Sequence, residues 1–276
     1  TIIASTGANV ITAGGGNDIV SAGTGADFVD SGAGDDTVQA SDGANTISTG
    51  IGNDSVTAGI DADNITTSDG NDTVTASDGD NTVTTGIGND TVSTGSGNDS
   101  ISLGDGDDTL ESGTGANVIT LAGGGAVSTS SGTDTITAAT AATISSGAGS
   151  DSVTTGAGAD NVTLGDGDDT MTDAGGHNTV SAGAGADSIS AGAGNDVIDG
   201  GEGHNTVNAA AGNNNITGGT GNDVITVTAG NDTINSGSGD DTVTTGAGLD
   251  IINSGSGNDS ITYTNRGAVQ AGDGDD

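Results

Sequence analysis

An apolar residue falls on every ninth position of this chain from its second residue to Ile119. The series runs Ile2, Ile11, Val20, Val29, Val38, Ile47, Val56, Ile65, Val74, Val83, Val92, Ile101, Leu110, Ile119 without a miss. It slips by one residue at Val127, continues to Ile136, slips again at Ile144, and then runs in steps of nine to Ile261; a third eight-residue step reaches Val269. Nine is neither a helical period nor the two-residue period of a strand, so each unit must combine a strand and a turn. The apolar residue is usually flanked by Thr or Ser, as in T-V-T at 73–75 and S-I-S at 100–102, which favours a short β-strand with its middle side chain inward. Six residues rich in Gly and Asp then make the turn. Gly recurs four residues before the apolar position, at Gly34, Gly52, Gly70, Gly88, Gly97 and Gly106, where positive φ is expected.

One such unit cannot bury its apolar side chain by itself. Stacking two units per turn of the chain lets two thin parallel sheets face each other across a single layer of Val and Ile. Composition supports a thin core: there are 55 Gly, no Pro, no Cys and no Trp, and aromatics make up 1% of the 276 residues. Thirty-nine Asp and Glu oppose a single cation, Arg266, for a formal charge of -38. Such a charge repels nucleic acid and anionic membrane surfaces and makes cations the expected partners. No stretch approaches the run of apolar residues that a membrane helix needs.

The repeated phrase resembles G-G-x-G-x-D-x-U-x, U being a large apolar residue, the calcium-binding nonapeptide of RTX (repeats-in-toxin) proteins. G-G-T-G-N-D-V-I-T at 218–226 fits at every specified position, and S-G-S-G-D-D-T-V-T at 236–244 lacks only the first Gly, a position mostly held here by Ser, Thr or Ala. The resemblance extends along essentially the whole chain. It implies an all-β fold, a right-handed parallel β-roll (β-solenoid) with two nonapeptides per turn and about 15 turns. It implies multiple Ca2+ ions held between Asp carboxylates and loop carbonyls of adjacent turns, and secretion from a bacterium by the type I route to the cell exterior or surface. Residues 1–276 are expected to form one continuous roll, with irregularities near 120–127, 137–144 and 262–269 where the eight-residue steps lie.

The expected metal ligands are the Asp residues two places before each apolar position. Alternate nonapeptides stack, so one edge carries Asp18, Asp36, Asp54, Asp72, Asp90 and Asp108, followed by Gly125 and Ala142, and after these Asp160, Asp196, Asp232 and Asp250. The other carries Asp27, Asp63, Asp99 and Asp134, alternating with Asn9, Asn45, Asn81 and Asn117, and then Asp151, Asp169, Asp187, Asp223, Asp241, Asp259 and Asp276, interrupted by Asn205. Calcium takes six to eight hard oxygens, and Gly-rich turns expose carbonyls beside these carboxylates. Stacked carboxylates about 4.8 Å apart would repel one another without a cation. Asp/Asp gaps are expected to bind more tightly than Asp/Asn gaps because ligand charge sets affinity. Gly125, Ala142 and Gly267 lack the carboxylate, and their loops are expected to be metal-free or irregular.

Catalytic residues are not expected. The chain has no Cys and no Lys, and its two His, His177 and His204, precede Asn in turns three nonapeptides apart, on opposite edges. Outward Thr and Ser should form flat hydroxyl ladders, interrupted by Phe28, Val118, Val224 and Ile251, while Ile51, Ile60, Ile87 and Tyr263 fall in turns. The terminal A-G-D-G-D-D joined to the initial T-I-I completes a repeat, which points to end-to-end stacking or to a tandem unit of a longer chain. The leading functional expectation is an extracellular, calcium-stabilised structural subunit of a surface layer, matrix or filament that self-associates end to end or laterally. Alternatives are an adhesin segment that binds ice or glycan through its Thr ladders, and the calcium-folding region of a larger secreted enzyme or toxin.

Overall fold

The computed structural model describes residues 1–264 and 267–276; Arg266, the single cation of the sequence, lies outside the described residues. They divide into two compact units, Thr1–Ala139 and Thr140–Asp276. Each unit is built only from parallel strands, about 15 coils of β-solenoid in the two together.

In the first unit, Thr37–Ala40, Ser55–Thr57, Thr73–Thr75, Thr91–Ser93 and Asp107–Glu111 lie side by side in one sheet. Thr46–Ser48, Asn64–Ser68, Thr82–Thr85, Ser100–Leu103 and Val118–Leu121 lie in the other. The register places Val74 against Val92 and Val83 against Ile101, so neighbours in a sheet are 18 residues apart and each coil contains two nonapeptides. In the second unit the same register pairs Val162 with Val180 and Val207 with Ile225. Coils of 17 residues occur where eight-residue steps were found: Leu110 pairs with Val127, Ile119 with Ile136 and Ile252 with Val269.

Away from the first and last strands, side chains alternate between interior and surface, the two-residue period of a strand. Within 63–67, Asp63, Ile65 and Thr67 are buried and Asn64 faces solvent. Three side chains per nonapeptide therefore point inward: the carboxylate or amide, the aliphatic residue, and a third residue two places beyond it. This third row includes Ala22, Ala40, Thr49, Leu103, Leu121 and Leu164, all buried. It coincides with the first Gly of the nonapeptide phrase, so Ala, Thr and Leu at that position thicken the core rather than reshape the loop. Some strands keep to the expected triplet, such as Thr73–Thr75, and others run on beyond it. Ala142–Ala148 and Asn161–Asp166 pair through Gly147 with Gly165 and Ala148 with Asp166, positions the sequence pattern assigns to the turn.

The turns need glycine where the coils touch. Gly106 has φ +148°, and a Cβ there would overlap the carbonyl oxygen of Gly88, one coil earlier. Each buried Val, Ile or Leu contributes about 1.5–3 kcal/mol by leaving water. Phe28, Val118, Val224 and Ile251 are exposed on the sheet faces, as the pattern predicts, and Val10, Ile19 and Val197 join them there.

Candidate metal centre

The Asp two residues before each aliphatic position enters the coil interior just ahead of the strand, where two backbone loops are stacked but the sheet ladder has not begun. An amide at this point would lack an acceptor, and the side chain supplies one. The N–H of Asp36 donates to Oδ1 of Asp54 at 2.8 Å, that of Asp54 to Asp72 at 2.8 Å, that of Asp72 to Asp90 at 2.8 Å and that of Asp90 to Asp108 at 2.9 Å. Asp18, half-buried, begins this row by donating to Asp36. Gly125 follows Asp108 in register and ends it.

On the other edge the row alternates. Asn9 donates to Asp27, Asp27 to the Asn45 side chain, Asn45 to Asp63, Asp63 to Asn81, Asn81 to Asp99, Asp99 to Asn117 and Asn117 to Asp134. The second unit repeats the device. One row runs from Ala142 through Asp160, Asn178, Asp196, Asn214 and Asp232 to Asp250. The other runs from Asp151 through Asp169, Asp187, Asn205, Asp223, Asp241 and Asp259 to Asp276. Within each unit the expected edge ladders are thus physically stacked, one residue per coil. Asp276 is exposed, whereas Asp27, Asp36, Asp54, Asp63, Asp72, Asp90, Asp99 and Asp108 are at most 2% exposed.

A second row stands immediately outside the first and runs the opposite way. Asn17 Oδ1 accepts the N–H of Asp35, Asn53 that of Asn71, and Asn71 that of Asn89, each from the following coil. His177 and His204 belong to this row: Nδ1 of each accepts the N–H of Asn195 and Asn222 respectively, and both rings are exposed. The sequence marks this position only as the variable residue before Asp, and nothing in its spacing reveals the bond.

The inner row leaves a chemical gap. Along these rows Oδ1 is spent on an amide, while Oδ2 of Asp36, Asp63, Asp90, Asp108, Asp169, Asp187 and Asp223 is buried without a hydrogen-bond partner. The buried hydroxyls of Thr49 and Thr67, five residues before Asp54 and Asp72, face those carboxylates and oppose the rise that burial causes in their pKa, while the buried Thr85 hydroxyl has no hydrogen-bond partner. Removal from water raises the carboxyl pKa of Asp54, Asp63, Asp72, Asp99 and Asp108, and it pushes Asp169 and Asp223 up to about 6, with adjacent carboxylates adding to the effect. An anionic oxygen so placed requires a proton or a cation.

The surroundings suit a hard cation. The only side-chain ligand types along the inner row are carboxylate, amide and hydroxyl oxygen, and loop carbonyls supply the rest. Among the described residues no three carboxylate or imidazole groups converge on one point, so a bound ion would take most of its ligands from backbone carbonyls. Six to eight oxygens is the calcium range, and a loop that presents several carbonyls beside one or two carboxylates fits it.

A family profile described as RTX calcium-binding nonapeptide repeat (4 copies) matches residues 1–29, 30–65, 57–92, 66–101, 84–119, 138–171, 173–207, 199–234, 208–243 and 226–261. The chain belongs to the RTX calcium-binding nonapeptide repeat family. Comparison with curated proteins gives no match. The RTX match breaks off at 119 and at 261, the positions from which the eight-residue steps to Val127 and Val269 begin. The carboxylate row of the first unit stops in the same region, at Gly125.

Proposed function

We propose that this chain is an extracellular, calcium-stabilised RTX β-roll with a structural role, a subunit of a surface layer, matrix or filament that associates with further copies. Ca2+ is its partner and cofactor. The ligands are the inner-row carboxylates: in the first unit Asp18, Asp36, Asp54, Asp72, Asp90 and Asp108 in one row and Asp27, Asp63, Asp99 and Asp134 in the other; in the second unit Asp160, Asp196, Asp232 and Asp250 in one row and Asp151, Asp169, Asp187, Asp223, Asp241, Asp259 and Asp276 in the other. The observation that carries the reading is the buried carboxylate oxygen without a hydrogen-bond partner on successive coils, as in Oδ2 of Asp90 and Asp108. Carboxylates at about 4.8 Å spacing repel one another unless neutralised, so the ion supplies folding free energy directly.

The roll itself is not catalytic in this reading. Its carboxylates are engaged in the ladder, and its two imidazoles stand on exposed turns with Nδ1 occupied. Circular dichroism of the full chain in excess chelator and in millimolar calcium tests the proposal. A β signal that requires calcium supports it, and the same signal in both conditions overturns it. Electron microscopy then tests assembly, for which calcium-dependent fibres or sheets are expected.

A second reading rests on the exposed hydroxyls. Ser55, Thr73, Thr91 and Thr109 lie in register on one sheet face, all exposed, and form a flat row of the kind that binds ice or glycan. Monomers that bind ice or a glycan array and form no fibres would favour it. Flanking catalytic sequence would instead assign the roll to the calcium-folding region of a larger secreted enzyme or toxin.

A further inference from the structure

The inner row contains Asn as well as Asp, and the two side chains do opposite things with the second atom of the head group. Nδ2 of Asn45 donates to the carbonyls of Ser41 and Gly43 at 3.0 and 2.7 Å and to Oδ1 of Asp63 on the next coil at 3.0 Å. Nδ2 of Asn81 donates to the corresponding carbonyls, Ser77 and Gly79, both at 3.0 Å. Asn9 shows the complete surroundings: Ser5 and Gly7 carbonyls of its own loop, the Ala22 carbonyl and Oδ1 of Asp27 from the coil above, at 2.7–3.2 Å. The amide nitrogen sits in a cage made wholly of oxygen. An Asp in the same row carries an acceptor, Oδ2, in place of that amide nitrogen, and Oδ2 of Asp63, between Asn45 and Asn81, is buried without a hydrogen-bond partner.

An N–H donor and a divalent cation are therefore alternatives for one position. We propose that the inner-row asparagines are built-in substitutes for the cation: each amide closes its own loop and keeps calcium out. The inference rests on the calcium reading above and sharpens it, because it assigns the loops that hold an ion and those that do not. In the first unit the row through Asp36, Asp54, Asp72 and Asp90 takes one ion per coil. The alternating row takes one per two coils, at the Asp loops only, and its Asn loops are ordered without metal. The 36-residue recurrence of Asn9, Asn45, Asn81 and Asn117 thus sets a fixed fraction of metal-independent coils along one edge.

Calcium bound per chain, measured by equilibrium dialysis with inductively coupled plasma detection at saturating calcium, tests this on the full-length chain. The variants are Asn45→Asp, Asn81→Asp and Asp72→Asn. The expected result is one additional ion for each Asn→Asp change and one fewer for Asp72→Asn. Asp72→Asn is also expected to retain more β circular dichroism in chelator than the parent chain, since its loop is then closed by an amide. An unchanged ion count in folded Asn45→Asp and Asn81→Asp, or in Asp72→Asn, overturns the inference while leaving the calcium reading intact. A parent chain that binds no calcium overturns both. Should the Asn→Asp variants fail to fold, Asp72→Asn decides alone, because it conserves shape and removes a charge.

Discussion

Asp72 and Asp90 stand one coil apart, and the N–H of the first donates to Oδ1 of the second at 2.8 Å while Oδ2 of Asp90 is buried without a partner. This pair contains both the structural and the functional use of the carboxylate. One oxygen continues the backbone ladder through the turn; the other is the oxygen we propose as a calcium ligand.

Substitution at Asp72 should therefore hurt more than substitution at Asp63. Asp72 has Asp54 and Asp90 as neighbours in its row, whereas Asp63 has Asn45 and Asn81. Asp72→Ala removes an anionic ligand from a doubly charged gap and orphans the buried amide of Asp54, which alone costs about 1–3 kcal/mol. In calcium titrations followed by circular dichroism, the midpoint for Asp72→Ala is expected at higher calcium than that for Asp63→Ala. Coincident midpoints would refute the ranking.

Acid should act oppositely on the calcium-free and calcium-loaded chains. Burial holds Asp169 and Asp223 at about 6 in the folded chain, against about 3.9 for an unfolded Asp. Between these values the folded form binds more protons than the unfolded form, so stability in chelator is greatest below about pH 4 and declines as pH rises through about 6. With calcium present, protons compete for the same oxygens and the apparent calcium affinity falls as pH drops through about 6. The β circular dichroism signal at several pH values, with chelator and with calcium, measures both trends.

The aliphatic layer supplies a control independent of metal. Ile65 is completely buried between the sheets and Thr66 beside it points outward. In excess calcium, Ile65→Ala is expected to destabilise by about 2–5 kcal/mol through lost burial and a residual cavity, and Thr66→Ala by no more than about 0.5 kcal/mol. Urea denaturation of the two variants makes the comparison.

Glycines in the turns should divide into two classes. Gly14 and Gly106 both have positive φ, +117° and +148°, but a Cβ at Gly14 meets nothing, whereas one at Gly106 overlaps the Gly88 carbonyl. Gly14→Ala should lose about 1–2 kcal/mol from backbone strain alone. Gly106→Ala should lose more, because the stacked coil must shift, and thermal denaturation in calcium is expected to show the difference.

The nine-residue spacing of Ile2 through Ile119, with its slips at Val127, Ile144 and Val269, was sufficient to establish coil length, strand parallelism, the aliphatic layer and the identity of the stacked carboxylates. These follow from local pattern, because a residue that recurs in phase must recur on the same face of a repeated coil. The atomic contacts and hydrogen bonds that stacked residues make were beyond its reach. The inward aim of Ala22, Thr49 and Leu103, the opposed row that engages His177 and His204, and the unpartnered oxygen of Asp90 all depend on how one loop rests on the next. So does the difference between Asn45 and Asp72. In sequence Asn is a weaker ligand at the Asp position; in the folded chain its amide nitrogen is a donor within an all-oxygen cage, because stacking brings carbonyls of one loop and a carboxylate of the next to the same point.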